Sequence, residues 1–212
     1  MKQVSESEIK AELLTYLRRR GVIGRRAVLA NELRLGTTPV RADLAVFNGR
    51  LIGVEVKGPA DSLRRLEKQI AAYKLWFDDV ILVVAERHLA KLNWTDLTGV
   101  EVLKVDQKCR ISTLGPSDLS PDGKREAAVP LEGRTSAFAD RFKARFQESS
   151  NRFWDAVGRR KVQPEDLSHL SLFKDRRERE ARFVRDRELS WQTWDQRAAA
   201  VFGSQSDNLT KN

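Results

Sequence analysis

Sulfur and imidazole side chains are scarce in this sequence. Cys109 is its one cysteine, so an internal disulfide and a cysteine-based zinc cluster are both excluded. The two histidines, His88 and His169, are too few for a histidine-rich metal site. Any metal that the chain binds must therefore be held mainly by oxygen atoms.

Long hydrophobic runs are also missing. The N-terminal stretch, MKQVSESEIK, contains no apolar region typical of a secretion signal. The longest aliphatic run, Val80 to Ala85, is far too short to cross a bilayer. We therefore expect a cytoplasmic protein that has no membrane partner.

Positive charge, in contrast, is abundant. Lysine and arginine outnumber aspartate and glutamate by 39 to 30, which gives the chain of 212 residues a net charge of +9. This excess favours a polyanionic partner such as DNA, although an ordinary basic surface has the same composition. Charge alone does not decide between these two interpretations.

The hydrophobic periodicity predicts an α/β fold, a mixed β-sheet flanked by helices. A capping box, Ser5 with Glu8, starts the first helix, and Asp61 or Ser62 caps the second. The predicted elements are a helix over 6–20, strands over 27–35, 40–47 and 51–57, a helix over 62–76, a strand over 80–84 and a hairpin over 100–114. The helix over 62–76 lies between the strands over 51–57 and 80–84. This order predicts a right-handed βαβ crossover.

Composition divides the chain into four predicted segments. The core covers residues 1–114, and the proline- and glycine-rich stretch 115–134 is a linker or a wrapping loop. A helical C-terminal extension follows over 135–203, and residues 204–212 form a disordered tail. An aromatic stripe on the extension must be buried against something. We therefore expect a homodimer or a protein partner to contact the C-terminal helices.

Three carboxylates converge if two hairpins have particular registers. A four-residue loop over 36–39 sets Glu32 directly opposite Asp43. A two-residue Asn-Gly turn would put Asp43 and Glu55 on opposite faces, whereas a three-residue loop restores a common face. We predict the longer loop, over 47–49, with a bulge and with Gly49 in the left-handed conformation.

The chemistry of the converging acids indicates a divalent cation. Facing carboxylates repel, so a positive charge should lie between them, unless the pair is simply exposed and has no function. Oxygen ligands favour Mg²⁺ or Mn²⁺ over zinc. With Lys57 two residues after Glu55, the set suits hydrolysis of a phosphodiester: the metal activates a water, and Lys57 orients or helps to deprotonate it.

A second pair of residues lies on the helix that follows. Gln69 and Tyr73 are four residues apart and therefore share one helix face, although Tyr73 by itself would more often belong to the core. The order of these motifs resembles the PD-(D/E)XK nuclease superfamily. RAD, GVEVKG, DSLRRLEKQ and FDDVILVVAERH are similar to a small bacterial and phage family with that restriction-endonuclease-like αβββαβ core. The resemblance covers residues 5 to 114.

The resemblance implies a Mg²⁺- or Mn²⁺-dependent deoxyribonuclease with DNA as its partner. It assigns catalytic roles to Asp43, Glu55, Lys57, Gln69 and Tyr73, and metal-binding roles to Glu32, Asp43, Glu55 and the carbonyl of Val56. The proline that usually precedes the aspartate is here Ala42, a departure that removes no ligand.

Four basic residues near these motifs are the candidate DNA contacts: Arg41, Arg64, Arg65 and Lys68. Arg41 adjoins the acidic motif, and Arg65 is assigned to the second helix. The alternative interpretation is a catalytically inactive module of the same fold that binds DNA or a protein. The complete acidic set argues against it, because a binder of phosphates has no need to gather negative charge.

Overall fold

The computed structural model describes residues 3–114 and 135–170 of the protein. Helices, strands and 3₁₀ segments alternate along these residues in the following order: α1 (Glu6–Arg19), β1 (Val28–Arg34), β2 (Arg41–Phe47), β3 (Leu51–Lys57), α2 (Leu66–Trp76), β4 (Asp79–Ala85), a 3₁₀ segment (Glu86–Lys91), β5 (Val100–Val105), β6 (Ile111–Thr113), α3 (Thr135–Val157) and a second 3₁₀ segment (Pro164–Leu170). The predicted α/β class and the αβββαβ order of the first six elements are confirmed.

Within the described residues, the strands form one mixed sheet of six in the order β1-β2-β3-β4-β5-β6. The pairs β1–β2, β2–β3 and β5–β6 are antiparallel, whereas β3–β4 and β4–β5 are parallel. β3 therefore joins the antiparallel part of the sheet to the parallel part, because β2 pairs with it antiparallel and β4 pairs with it parallel. The predicted crossover through α2 accounts for the parallel pairing of β3 with β4.

α1 begins with the predicted capping box. The Ser5 hydroxyl accepts a hydrogen bond from the Glu8 amide, and the Glu8 carboxylate accepts one from the Ser5 amide at 2.7 Å. The apolar side of the helix, including Leu13 and Leu14, is buried in the same cluster as Val54 and Val56 of β3. α1 thus covers the face of β3 that carries its valines.

α2 covers the opposite face of β3. Phe77, just beyond this helix, packs so closely on Gly53 that a Cβ there would lie 2.2 Å from the aromatic ring. The helix begins at Leu66, so the prediction that it starts at Ser62 is wrong. Asp61 does not cap this helix, because its carboxylate accepts a hydrogen bond from the Gly58 amide at 2.7 Å. The chain instead turns over several residues before the helix begins.

The loop between β2 and β3 has the predicted three residues, but it begins one residue later than predicted. Phe47 pairs with Leu51, so the loop consists of residues 48–50 and not 47–49. The Asn48 amide donates to the Arg50 carbonyl at 3.1 Å. Gly49 has a φ of 83°, the left-handed conformation expected of it. The pairs from Phe47–Leu51 to Leu44–Val54 follow one another without an inserted residue, so the predicted bulge is not found between them. Because the loop has an odd number of residues, the predicted common face for the acids is kept.

α3 packs along β1, which lies at one end of the sheet order. The Ser150 hydroxyl accepts a hydrogen bond from the Leu29 amide at 2.8 Å, and its own proton lies closer to the Phe146 carbonyl than to that of Leu29. The Trp154 indole donates to the Ala27 carbonyl at 2.7 Å. These bonds satisfy backbone groups at the start of an edge strand, where unpaired groups favour association with other chains.

The helix that the sequence assigned to an extension therefore belongs to the same compact unit as the sheet. Its buried aromatic residues include Phe142, Phe146, Phe153 and Trp154, which pack within the chain. The predicted partner of the C-terminal helices stays a prediction. The predicted linker (115–134), the remainder of the extension (171–203) and the predicted tail (204–212) lie outside the described residues. No helix in the described part of the chain is long and apolar enough to span a membrane.

Candidate active site

Asp43 and Glu55 meet where β2 runs beside β3. The register pairs Leu44 with Val54, so one further step along the ladder sets Asp43 opposite Glu55. The Asp43 carboxylate accepts a hydrogen bond from the backbone amide of Val56 at 2.7 Å. This bond ties the aspartate of one strand to the strand that carries Glu55 and Lys57.

Glu55 is almost fully buried and both of its oxygens are hydrogen-bonded. Only 1% of the residue's surface is exposed to solvent. The Lys57 ammonium donates to Oε1 at 2.5 Å, and the Tyr73 hydroxyl donates to Oε2 at 2.5 Å. The same hydroxyl lies 3.1 Å from the Arg41 carbonyl, but it has a single proton to donate. Its interaction with the carboxylate is shorter and charge-assisted, so Tyr73 fixes the orientation of Glu55.

The Asp43 carboxyl carries an electrostatic penalty in this position. Burial and, after it, the nearby Glu55 charge raise the pKa of Asp43, whereas the Val56 amide and Lys10 act in the opposite direction, and the net result is a pKa of about 7. Burial also raises the pKa of Tyr73, and the charges of Glu55 and Asp43 add to that effect. Tyr73 therefore acts as a hydrogen-bond donor at all ordinary pH values.

The hairpin before Asp43 has the predicted register as well. Pairs 31–44 and 33–42 bracket Glu32 and Asp43, which confirms that these residues lie opposite each other. Glu32 has a φ of 58°, a conformation that is uncommon for residues other than glycine. One carboxylate oxygen from each of Glu6, Glu32 and Asp43 lies within 4.8 Å of the others. The acids thus gather, but Glu6 was not predicted among them.

A cation lies beside these acids, and it is a lysine that the sequence analysis missed. Lys10 of α1 contacts the Glu32 carboxylate directly, donates to Asn31 Oδ1 at 3.1 Å and lies 2.5 Å from Glu6 Oε1. Burial opposes its charge, but the hydrogen bonds to Glu32 and Glu6 prevail and raise the pKa of Lys10. The Lys10 ammonium therefore neutralises part of the charge of Glu6 and Glu32, and its charge also acts on Asp43.

A signal for Lys10 was present in the sequence. It follows Ile9 and precedes Leu13 and Leu14 by three and four residues, so it lies within the apolar side of α1. A lysine in such a position is buried when a partner is available. Glu32, predicted as a metal ligand, contacts Lys10 and also lies 3.4 Å from the Arg41 guanidinium.

Two further polar side chains near the site are Gln69, which was predicted, and His88, which was not. Gln69 lies one helical turn before Tyr73, and its Oε1 is buried without a hydrogen-bond partner among the described residues. His88 is also buried, and its Nε2 lies 3.1 Å from the Gly58 carbonyl. His88 thus supports the chain immediately after Lys57, a role that the sequence analysis did not predict.

The four candidate DNA contacts are solvent-exposed: Arg41, Arg64, Arg65 and Lys68. Arg64 and Arg65 precede α2, so the assignment of Arg65 to the body of that helix is wrong. Lys68 lies in the first turn of the helix, and Arg41 begins β2. The assignment of these residues to DNA stays a prediction.

The fold and site define a mixed α/β protein with a buried cluster of carboxylate, lysine and tyrosine side chains. The chain belongs to the family described as bacteriophage P4 protein cII, whose model matches residues 1–115. That range contains all the site residues described above, whereas α3 lies beyond it.

Protein cII of Enterobacteria phage P4 is 34% identical to the chain over 88 residues. The alignment covers 42% of this chain and 33% of that protein, so the chain matches about a third of its relative's length. No solved structure matches the chain.

Proposed function

We propose that the protein is a metal-dependent nuclease that hydrolyses phosphodiester bonds in DNA. The observation that carries the proposal is the buried Glu55 carboxylate, held at 2.5 Å by both Lys57 and Tyr73 and directly beside Asp43. A buried acid that is fixed by two neighbours and adjoins a second acid is an arrangement suited to a catalytic site. The nuclease-like core of the PD-(D/E)XK type, which the sequence motifs resemble, is part of the same proposal.

The donor set fits a Mg²⁺ or Mn²⁺ ion. Asp43 and Glu55 supply oxygen atoms, and the resemblance adds the carbonyl of Val56 as a third ligand. Burial and the neighbouring Glu55 raise the pKa of Asp43 to about 7, because two close carboxylates disfavour each other's charge. A divalent cation would relieve that repulsion. When bound, it would supply positive charge against the phosphodiester and its developing negative charge.

The residues of the chain have separate tasks in the proposed reaction. Asp43 and Glu55 provide the negative charge that binds the cation, and Tyr73 keeps Glu55 in one orientation. One N–H of the Lys57 ammonium points to Glu55, and the other two can donate to the attacking water or to a phosphate oxygen. The water oxygen bonds to phosphorus as the bond to the leaving oxygen breaks; the water releases one proton to solvent, the leaving oxygen takes one up from solvent, and Lys57 orients the attacking water.

DNA is the proposed substrate because the chain carries nine positive charges in excess. Arg41, whose side chain is 61% exposed, adjoins the acids, and Arg64, Arg65 and Lys68 flank the start of α2. If these residues contact the DNA backbone, affinity falls with salt by about one logarithmic unit of slope for each phosphate neutralised. A flat response would instead indicate a protein partner.

The test is incubation of the protein with labelled duplex, single-stranded, nicked and branched DNA, with Mg²⁺ or Mn²⁺ and with chelator. Asp43→Ala and Lys57→Ala are assayed beside the parent. We expect cleavage of at least one DNA form that requires metal and is lost in both variants. Cleavage that survives both substitutions would reject the assignment of the site.

Absence of cleavage by the parent would reject the nuclease and favour the inactive binding module. Glu101→Gln is the matched control, because Glu101 lies on β5 and pairs with Arg20 away from the acids. Its cleavage rate should equal that of the parent. Thermal denaturation of every variant separates loss of the site from loss of the fold.

A further inference from the structure

We infer that Lys10 is a positioning residue that acts as a built-in counter-ion for Glu6 and Glu32, so that the site takes up one divalent cation rather than two. The inference rests on the proposed nuclease, because it concerns the ions that such a site would bind. It removes Glu32 from the predicted metal ligands and gives Lys10 a role that no motif assigned to it.

The first observation is the position of the Lys10 ammonium. Its side chain is 4% exposed, and it contacts oxygen atoms of Glu6, Glu32 and Asn31. These partners come from α1 and from β1, so Lys10 joins the helix to the edge of the sheet. An ammonium has three N–H donors, and three oxygens from three side chains account for all of them.

The second observation is that Asp43 lies close to the two glutamates that contact Lys10. Glu6 and Glu32 each lie within 4.8 Å of an Asp43 oxygen, so without Lys10 three negative charges would converge. Such a group of oxygens attracts a divalent ion. With Lys10 in place, a large part of this charge is already neutralised, and the ammonium lies among the oxygens that a second ion would need.

The third observation concerns the other side of Asp43, where the lysine of β3, Lys57, bonds to Glu55. The hydrogen bond that Asp43 accepts comes from the Val56 amide, which carries no charge. An ion between Asp43 and Glu55 therefore still gains a favourable interaction. Two-metal nucleases use the second ion to stabilise the leaving oxygen, and a fixed ammonium can supply part of that charge.

The experiment counts bound ions. The parent, Lys10→Met and Lys10→Arg are titrated with MnCl₂ by calorimetry, and free Mn²⁺ is measured independently by electron paramagnetic resonance. We expect one Mn²⁺ for the parent and one for Lys10→Arg, which retains a cation. Lys10→Met should bind two, because it removes the charge and keeps an extended apolar side chain.

A second pair of variants tests the inference without changing Lys10. Glu32→Gln should bind Mn²⁺ within about threefold of the parent affinity, since Glu32 is not a ligand. Glu55→Gln should weaken binding by 30-fold or more, roughly the cost of disrupting a metal site. This pair keeps the inference testable if Lys10→Met fails to fold.

The outcomes distinguish the inference from the function on which it rests. Two ions in the parent, or loss of the ion in Glu32→Gln, would overturn the role of Lys10 while leaving a metal site intact. One ion in a folded Lys10→Met would overturn it as well. Binding of no Mn²⁺ by the parent would reject the metal-dependent function itself, and the counter-ion role with it.

Discussion

Asp43 separates two acidic regions that differ in burial and in the origin of their positive charge. On one side is Glu55, 1% exposed and hydrogen-bonded to Lys57 and Tyr73. On the other side are Glu6 and Glu32, whose side chains are 49% and 40% exposed and share Lys10. Solvent screens the charges of the second region, whereas burial shields the charges of the first from that screening.

The difference shows how one chain can gather acids for two purposes. In the Glu6–Glu32 region, a lysine of α1 neutralises the acids and links the helix to β1. In the Glu55 region, the protein fixes the geometry but leaves Asp43 with a repulsive neighbour. A site that keeps such repulsion is suited to binding a cation from solution.

Among the variants that distinguish the two acidic regions, Lys57→Met should change the cleavage rate most. We expect the cleavage rate to fall by about 100- to 10,000-fold, because the group that orients the water is lost. Single-turnover cleavage of the preferred DNA form measures the rate. Lys74→Met is the matched control: Lys74 donates to the Asp96 carbonyl and should be dispensable for cleavage. An equal loss in both variants would contradict a specific role for Lys57.

Replacement of Tyr73 by phenylalanine should have the next largest effect. It removes the hydroxyl from Glu55 Oε2 and should lower the free energy of unfolding by about 1.5–3 kcal/mol, as for a hydrogen bond to a charged group. We also expect slower cleavage, because Glu55 loses one of its two supports. The chain's other tyrosine provides the control, Tyr16→Phe, whose hydroxyl contacts the exposed Arg20. Equal stability of both variants would contradict the fixed orientation of Glu55.

The pH dependence of stability should distinguish Asp43 from the exposed acids. Its pKa is raised from 3.8 to about 7, so the folded state binds the proton more tightly than the unfolded state. In the metal-free protein, the stabilisation from this proton is complete below about pH 4 and is lost as the pH rises to about 7. Asp43→Asn should lack that part of the decline, whereas Glu101→Gln should retain it. Chemical denaturation at a series of pH values, with chelator present, makes the comparison. Identical curves for the parent and Asp43→Asn would contradict the buried repulsion.

The smallest effect is expected in the exposed region. Glu6→Gln removes one partner of Lys10 and leaves Glu32, so the free energy of unfolding should change by about 0.5 kcal/mol or less. Denaturation at low and high salt checks this, because salt should reduce the difference further. A loss above about 2 kcal/mol would show that both regions are equally sensitive to their charges.

The order of elements could be predicted because its signals are local. The Ser5–Glu8 capping box and the aliphatic run around Val80–Val84 each depend on a few adjacent residues. The start of α2 could not be predicted, because Asp61 is suited both to a helix cap and to a turn, and the structure uses it to bind the Gly58 amide. The loop after β2 was shifted by one residue because Phe47 continues the strand and pairs with Leu51.

The common face of Asp43 and Glu55 could be predicted from strand alternation and loop length, whereas their direct opposition depends on the loop lying at residues 48–50. Tyr73 and Gln69 required the resemblance, since helical spacing does not reveal which side chain reaches a carboxylate. Lys10 was missed because its partner Glu32 is more than 20 residues away in the chain, and only the packing of α1 on the sheet brings them together. Contacts between distant elements are the part that local patterns do not contain.

The most direct measurement is the metal-dependent cleavage rate of Glu55→Gln against that of Glu32→Gln, on the DNA form that the parent cleaves fastest. Each substitution replaces a glutamate carboxylate beside Asp43 with an amide of similar size. We expect a loss of 100-fold or more for Glu55→Gln, the order of one electrostatic catalytic group, and a change within about threefold for Glu32→Gln. Equal losses, the reverse order, or no cleavage by the parent would contradict it.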